Sequence, residues 1–159
     1  MVAGSFTRDY LSPVAPSRIW KAGIFDSQNL LPKLLPDLIA SVDILEGDGG
    51  AGTIKQYNAA EDVKEFRFIK ERTDILDNEN RIMKETVING GFIGSLVKSY
   101  GFSFDLKEDS NGGTAGKVTV FYEALGDTPL TTEEEEKVIG PTHFMIKAIE
   151  QYLIANPTT

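Results

Sequence analysis

Alternating apolar and polar residues run through most of the chain. This pattern predicts extended strands, because successive side chains of a strand point to opposite faces of a sheet. The expected strands cover residues 5–11, 41–45, 53–57, 65–76, 81–88, 96–106 and 117–124. Short turn sequences rich in Asn and Gly separate the later strands, at residues 77–80, 89–91 and 111–113. Connections of this length favour hairpins, so an antiparallel meander is expected.

Two short helices are expected between the first two strands, where prolines interrupt the alternation. The first begins after Pro16, with Ser17 as its N-cap, and runs to Phe25. The second is capped by Asp26 or Ser27 and runs through Leu30 and Leu31 towards Pro36.

The C-terminal part of the chain has the periodicity of one long helix. Between residues 138 and 153 apolar residues recur at the spacing of a single helix face. Thr132 and Glu135 fit a capping box at its start, and Asn156 with Pro157 ends it. The predicted fold class is therefore α+β, with a strongly curved seven-stranded antiparallel sheet that grips the long helix.

Alternation also predicts which side chains share the inner face of the sheet. This face carries Phe66, Phe68, Met83, Glu85, Val87, Tyr100, Phe102, Phe104, Leu106, Val118, Val120 and Tyr122. A dry core does not tolerate the unpaired carboxylate of Glu85, and glycines interrupt the elements that should pack most tightly. These features favour an internal cavity filled by solvent or a ligand, and an ordinary filled core is the alternative.

Composition narrows the class of protein further. The length of 159 residues fits a single domain over residues 1–159, and the net charge of −8 disfavours nucleic-acid binding. Without cysteine and with only His143, neither a disulfide nor a metal site is expected. Because the chain lacks a signal peptide and any long apolar run, we expect a soluble cytoplasmic protein without a membrane span. A monomer is also expected.

A glycine-rich segment at residues 46–53 is the most unusual local feature. Its glycines, which match the spacing G-x-G-x-x-G, are Gly47, Gly49, Gly50 and Gly52. A dinucleotide site needs a helix directly after such a loop, whereas a strand is expected here, and Glu46 and Asp48 would repel a phosphate. The segment is therefore interpreted as a tight hairpin connection with positive φ angles.

Four segments together carry a family resemblance: EGDGGAGTIK at residues 46–55, KERTDILD at 70–77, NGG at 89–91 and AIEQYLIA at 148–155. Through them the whole chain resembles the plant class-10 pathogenesis-related proteins, the family of the major birch pollen allergen. The resemblance implies a helix-grip fold in which two short helices and a long C-terminal helix close a cavity. It also implies a cytosolic protein, without a cofactor, that binds flavonoids, cytokinins, abscisic acid-like hormones, fatty acids or other amphipathic metabolites.

The same resemblance implies which positions line the pocket. They are Gln28, Leu31, Tyr57, Phe66, Phe68, Glu71, Met83, Glu85, Tyr100, Phe102, Phe104, Thr142 and Met145. Most of those on strands agree with the faces expected from alternation. Glu71 does not alternate with Phe66 and Phe68, and its inward position would require a bulge.

Enzymes that resemble this chain provide an alternative function. At the positions of the catalytic residues of norcoclaurine synthases, Glu71 matches, whereas Met83, Ile69 and Phe102 replace the lysine, tyrosine and aspartate. A biosynthetic enzyme would therefore have to use Glu71 or Glu85 as a buried acid or base.

A ribonuclease is the lesser alternative. Of the positions proposed for that activity in the family, Glu150 and Tyr152 match, and Lys98 stands in place of an acidic residue. The leading hypothesis is a defence-related carrier of small hydrophobic ligands.

Overall fold

A computed structural model describes residues 2–159, and it contains seven strands and three helices. The strands are β1 Ala3–Ser12, β2 Ile39–Glu46, β3 Ile54–Ala59, β4 Phe68–Asp77, β5 Ile82–Gly90, β6 Val97–Glu108 and β7 Thr114–Ala124. The helices are α1 Pro16–Trp20, which continues into a π-helical turn at Lys21–Phe25, α2 Ser27–Leu34 and α3 Thr132–Ala155.

The strands form one antiparallel sheet in the order β1-β7-β6-β5-β4-β3-β2. From β2 to β7 each strand pairs with the next along the chain, as the short turns predict. The two short helices carry the chain from β1 to β2, which lies at the opposite edge of the sheet. The predicted α+β fold, with its curved seven-stranded sheet and long terminal helix, is confirmed.

The buried face of α3 is the one that its periodicity predicts. Val138, Ile139, Ile149 and Leu153 are buried against the sheet and the short helices. The helix is continuous through Pro141, which stands beside the space between helix and sheet. None of the helices within residues 2–159 is both long and apolar enough to cross a membrane.

The capping box at the start of α3 lies one residue before the predicted one. Thr131 is the N-cap of α3: its hydroxyl accepts a hydrogen bond from the backbone N–H of Glu134, and the Glu134 carboxylate accepts one from the Thr131 N–H. The prediction with Thr132 and Glu135 was wrong because both threonines are followed three residues later by a glutamate, so the sequence fits two registers.

The N-cap expected at Ser17 is also wrong. Ala15 occupies the N-cap position of α1 and makes no side-chain hydrogen bond, while Pro16 takes the first helical position. Proline is well suited to that position because its fixed φ is helical and the missing N–H would have no helical partner there. In α2 Asp26 stands at the N-cap, as predicted, although its side chain does not bond to the helix backbone.

Two clusters of buried side chains make up the core. One lies around Phe102 and Val120 on the central strands, and the other around Trp20 and Leu31 on the short helices. Both clusters contact Phe104. The space between them, under α3, is where the candidate site lies.

Candidate functional site

A cavity occupies the space between the curved sheet and α3. Its walls are formed by Tyr10, Ile19, Gly23, Ile24, Leu31, Tyr57, Ile69, Glu71, Met83, Glu85, Phe92, Tyr100, Phe102, Phe104, Leu106, Val118, Val138, Pro141, Thr142, Met145, Ile146 and Ile149. The atom-free space among these residues is about 960 Å³, which includes the opening to solvent.

Aromatic side chains of β6 form the apolar wall of the cavity. Tyr100 and Phe102 meet edge to face with ring centroids 5.7 Å apart, and Phe102 stacks on Phe104 at 6.1 Å. Because residues two apart on a strand share a face, the sequence itself places these three rings side by side. They offer a flat guest a continuous aromatic surface.

All but three of the pocket residues predicted from the sequence line this cavity. Those in the lining are Leu31, Tyr57, Glu71, Met83, Glu85, Tyr100, Phe102, Phe104, Thr142 and Met145. They come from α2, from strands β3 to β6 and from α3, so the fold brings together residues that are far apart in the chain. That they bind a ligand stays a prediction.

The remaining three residues lie elsewhere. Phe66 precedes β4 and packs edge to face on Phe92, with centroids 5.6 Å apart, and both rings line a second pocket under the first half of α3. Phe68 is outside the lining, because Ile69 and Glu71 have the inward phase on β4. Gln28 is also outside it, and its amide oxygen is buried with no hydrogen-bond partner among the described residues.

The inward position of Glu71 needs no bulge in its own strand. Ile69 and Glu71 alternate regularly, whereas the register shifts on the opposite strand, where Lys70 pairs with Asn89 and Glu71 with Val87. The expectation that Phe66 and Phe68 set the inward phase of β4 was therefore wrong. The strand begins only at Phe68, and Phe66 belongs to the connection before it.

A polar group of side chains closes one end of the cavity. The carboxyl groups of Glu71 on β4 and Glu85 on β5 are hydrogen-bonded to each other. Lys55 on β3 is the cross-strand partner of Glu71. Its ammonium group donates to the carbonyl oxygen of Ile24 at 3.2 Å and to the hydroxyl of Ser27 at 3.4 Å.

Burial changes the protonation of the two carboxyl groups. It raises the pKa of Glu71 well above its ordinary value, and the neighbouring charge and hydrogen bond of Glu85 raise it further, while Lys55 opposes the change. Burial also raises the pKa of Glu85, but the hydrogen bond from Glu71 and the charge of Lys55 lower it. The pair therefore holds a proton on Glu71, which donates to the Glu85 carboxylate.

The pH dependence of stability is expected to report this proton. In the folded protein Glu71 keeps a proton that the unfolded chain loses above a pH of about 4.3. Its contribution to the free energy of unfolding therefore falls as pH rises from there towards its folded-state pKa, by at most about 1.4 kcal/mol per pH unit. Glu71→Gln keeps the shape and a hydrogen-bond donor but cannot titrate, so it should gain stability relative to wild type between pH 5 and pH 8.

Urea unfolding at pH 5, 6, 7 and 8 measures this difference. Glu108→Gln is the matched control, since Glu108 is exposed at the end of β6. The control should follow wild type at every pH. If the curves of Glu71→Gln and wild type run parallel, Glu71 does not hold a proton in the folded state.

Several residues of the site were missed by the sequence analysis. Lys55 has the appearance of an ordinary surface lysine, and only its pairing with Glu71 brings it inside. Tyr10 shares the alternation of β1 with the buried Phe6, which is a signal that could have found it. Phe92 lies in the connection between β5 and β6, where no periodicity points to its burial.

The glycine-rich segment forms the β2–β3 hairpin connection, as interpreted from its sequence. Gly47, Gly49 and Gly52 have φ angles of 90°, 102° and 90°, whereas Gly50 has none in that range. The N–H of Gly49 donates to the buried Thr53 hydroxyl at 2.9 Å. Because β3 follows directly, the loop has no helix N-terminus to receive a pyrophosphate.

The enzyme-like positions have a mixed environment. Met83, Ile69 and Phe102 line the cavity next to Glu71 as apolar side chains, so the place of a catalytic lysine holds no amine. Glu150 on α3 accepts a hydrogen bond of 2.7 Å from the hydroxyl of Tyr10. Within residues 2–159 no group of three or more His, Cys, Asp or Glu side chains is placed to hold a metal ion.

Comparison with known proteins agrees with the resemblance drawn from the sequence motifs. Residues 1–156 match the family model described as the pathogenesis-related protein Bet v 1 family. A relative called pathogenesis-related protein 1, from Asparagus officinalis, is 37% identical over 159 residues, which cover 99% of this chain and 98% of that protein.

Solved structures give the same result for the fold. The crystal structure of Ara h 8.0201 has a TM-score of 0.85 and 32% identity, over 97% of this chain and 99% of the other. A norcoclaurine synthase from Thalictrum flavum, in complex with dopamine and hydroxybenzaldehyde, has a TM-score of 0.75 over 97% of this chain and 88% of the other. Its identity of 23% shows a shared fold alone.

Proposed function

Because the chain belongs to the pathogenesis-related protein Bet v 1 family, we propose that it is a defence-related protein that holds a small, mainly apolar metabolite in its cavity without converting it. Flavonoids, cytokinins, abscisic acid-like hormones and other specialised metabolites are the ligand classes that the family resemblance suggests. The proposal includes a cytoplasmic monomer that needs no cofactor.

The observation that carries the proposal is the cavity itself. It lies between two core clusters, and its walls are mainly apolar. The polar side chains in the lining are Tyr10, Tyr57, Glu71, Glu85, Tyr100 and Thr142. Pockets of this kind, apolar with a few converging polar groups, are typical of small-molecule sites.

Binding can be tested with an uncharged dye whose fluorescence rises in apolar surroundings, N-phenyl-1-naphthylamine. We expect saturable binding at one site, with affinity lowered about two- to tenfold by Phe104→Leu, because the stacking surface of the aromatic wall is lost. Phe121→Leu is the matched control: Phe121 is on the neighbouring strand β7 but exposed on the outer face. Absence of saturable binding, or an equal effect of both variants, would contradict binding in this cavity.

A biosynthetic enzyme is the second candidate, and the Glu71–Glu85 pair favours it. A carboxyl group that keeps its proton in an apolar site is suited to proton transfer. The natural guest can be captured by incubating the protein with a plant extract and identifying the retained compound by mass spectrometry. Conversion of that compound by wild type, but not by Glu71→Gln or Glu85→Gln, would replace the carrier proposal with the enzyme; retention without conversion supports the carrier.

A further inference from the structure

The polar end of the cavity has an unequal number of charged groups. Glu71 and Glu85 both line the cavity, and among the described residues Lys55 is the cation that acts on both carboxyl groups. With both carboxyl groups ionised, these three side chains together would carry one uncompensated negative charge. Without a bound guest, the proton that the Glu71 carboxyl group keeps provides this balance.

The other titratable groups around the cavity do not change this charge balance. Tyr57 and Tyr100 face the carboxyl pair from β3 and β6, and burial raises the pKa of both hydroxyls, so they stay uncharged. Burial also raises the pKa of Tyr10 on β1, whose hydroxyl donates a hydrogen bond to Glu150. Asp74 on β4 adds only a further negative influence on Glu85.

The helices contribute no charge to the lining within the described chain. The side chains that α1, α2 and α3 and the π-helical turn present to the cavity are Ile19, Ile24, Leu31, Val138, Pro141, Thr142, Met145, Ile146 and Ile149. The ammonium group of Lys55 is itself held behind the wall by Ile24 and Ser27. A charge that balances the carboxyl pair must therefore come from a proton or from the guest.

We propose that the ligand carries a protonated amine, which binds between Glu71 and Glu85 and takes the place of their shared proton, while its apolar body lies on the rings of Tyr100, Phe102 and Phe104. The inference rests on the proposed cavity function, and among small apolar guests it favours amines over uncharged and acidic ones. An ammonium group satisfies both carboxylates in a site away from water, where an unpaired charge is costly. A guest with a carboxylate would add negative charge to the same place and is disfavoured.

The nearby aromatic wall supports the same choice. Ring faces attract a cation through their negative quadrupole, and the attraction grows where water is excluded. The proton balance is simple: the ammonium ligand binds, the proton of the carboxyl pair passes to solvent, and no covalent bond changes. Affinity for an amine should therefore rise as pH increases from 6 to 8, whereas affinity for an uncharged analogue should stay constant.

Three probes that share a naphthalene ring system test the inference. They are 2-naphthylmethylamine, 2-naphthylmethanol and 2-naphthoate. Isothermal titration calorimetry at pH 7, in two buffers with different ionisation enthalpies, gives the affinity and the number of protons released. We expect the amine to bind about tenfold or more tighter than the alcohol, with close to one proton released, and the carboxylate to bind most weakly. Equal affinities, or tightest binding of the carboxylate, would overturn the inference.

Variants locate the effect at the carboxyl pair. Glu71→Gln and Glu85→Gln should each remove the preference for the amine over the alcohol and the proton release, whereas Glu108→Gln should behave as wild type. If the amine preference survives in both cavity variants, the carboxyl pair is not its receptor.

Binding of the alcohol distinguishes failure of the amine inference from failure of the proposed function. If 2-naphthylmethanol binds but the amine has no advantage, the cavity function stands and the amine inference fails. If neither the alcohol nor N-phenyl-1-naphthylamine binds, the proposed function fails and the inference with it.

Discussion

Replacing Phe102 by alanine is expected to lower the free energy of unfolding by about 3–5 kcal/mol. The Phe102 side chain is 4% exposed, and its ring lies between those of Tyr100 and Phe104. Removing the ring takes away this contact area and leaves a space that the rigid sheet around it cannot fully close. Urea unfolding at neutral pH measures the loss.

The same phenylalanine substitution on the other face of the sheet is the control. Phe121, on β7, is 41% exposed, and its ring has Lys84 above it at 4.8 Å. Phe121→Ala should cost about 1 kcal/mol or less, since it loses one exposed cation–π contact and little buried area. If the two variants lose similar stability, the interior at Phe102 is not the rigid, packed wall that the structure shows.

A second measurement on Phe102→Ala separates packing from binding. The space vacated by the ring adjoins the cavity, so a larger guest gains more room than a smaller one. The three-ring dye 1-aminoanthracene should gain affinity relative to the two-ring 2-naphthylmethanol in this variant, and the same ratio should not change in Phe121→Ala. An unchanged ratio in Phe102→Ala would place the bound dye away from the β6 wall.

The fold could be predicted from the sequence because most strands are amphipathic and the turns between them are short. On β6 every second residue from Tyr100 to Leu106 is apolar and inward, so alternation alone identified the wall. The same alternation holds on β5, where it correctly predicted that Glu85 faces the cavity. In such segments the local pattern and the tertiary environment agree.

The phase of β4 could not be read in this way. Phe66, Phe68 and Ile69 put apolar side chains on both parities of one short segment, so the alternation is ambiguous there. The structure resolves it through contacts outside the strand: Phe66 is buried by the loop that holds Phe92, and Phe68 covers a glycine on β5. Both contacts depend on chain folding that no local pattern encodes.

The polar end of the cavity illustrates the same limit. Alternation predicted Glu85, and the family resemblance supplied Glu71, but Lys55 was missed. A lysine in a strand is ordinarily a solvent-facing residue, and its burial follows from the β3–β4 register together with acceptors on Ile24 and Ser27. The charge balance on which the amine inference rests could be counted only once these three strands were assembled.

Gly90→Ala is expected to lower the free energy of unfolding by about 3 kcal/mol or more, as much as the loss of a core aromatic side chain. Gly90 has a φ of 74°, and a Cβ atom there would overlap the carbonyl oxygen of Phe68 and lie 2.8 Å from its ring. That oxygen already accepts a hydrogen bond of 2.7 Å from the N–H of Gly91. Because the overlap is with backbone, side-chain rotation cannot relieve it, and β4 must move away from β5 where Ile69 pairs with Gly90.

Gly94→Ala separates the cost of the overlap with Phe68 from the cost of a positive φ angle. Gly94 also has a positive φ, of 90°, but a Cβ there would have nothing within 4 Å. It should lose only the conformational cost of a left-handed residue, about 1–2 kcal/mol, so the difference in urea unfolding between the two variants measures the overlap with Phe68. Equal losses would mean that β4 and β5 separate freely at this point. A larger loss at Gly90 would show that the close approach of the two strands is rigid, and it is this approach that carries Ile69 and Glu71 into the cavity wall.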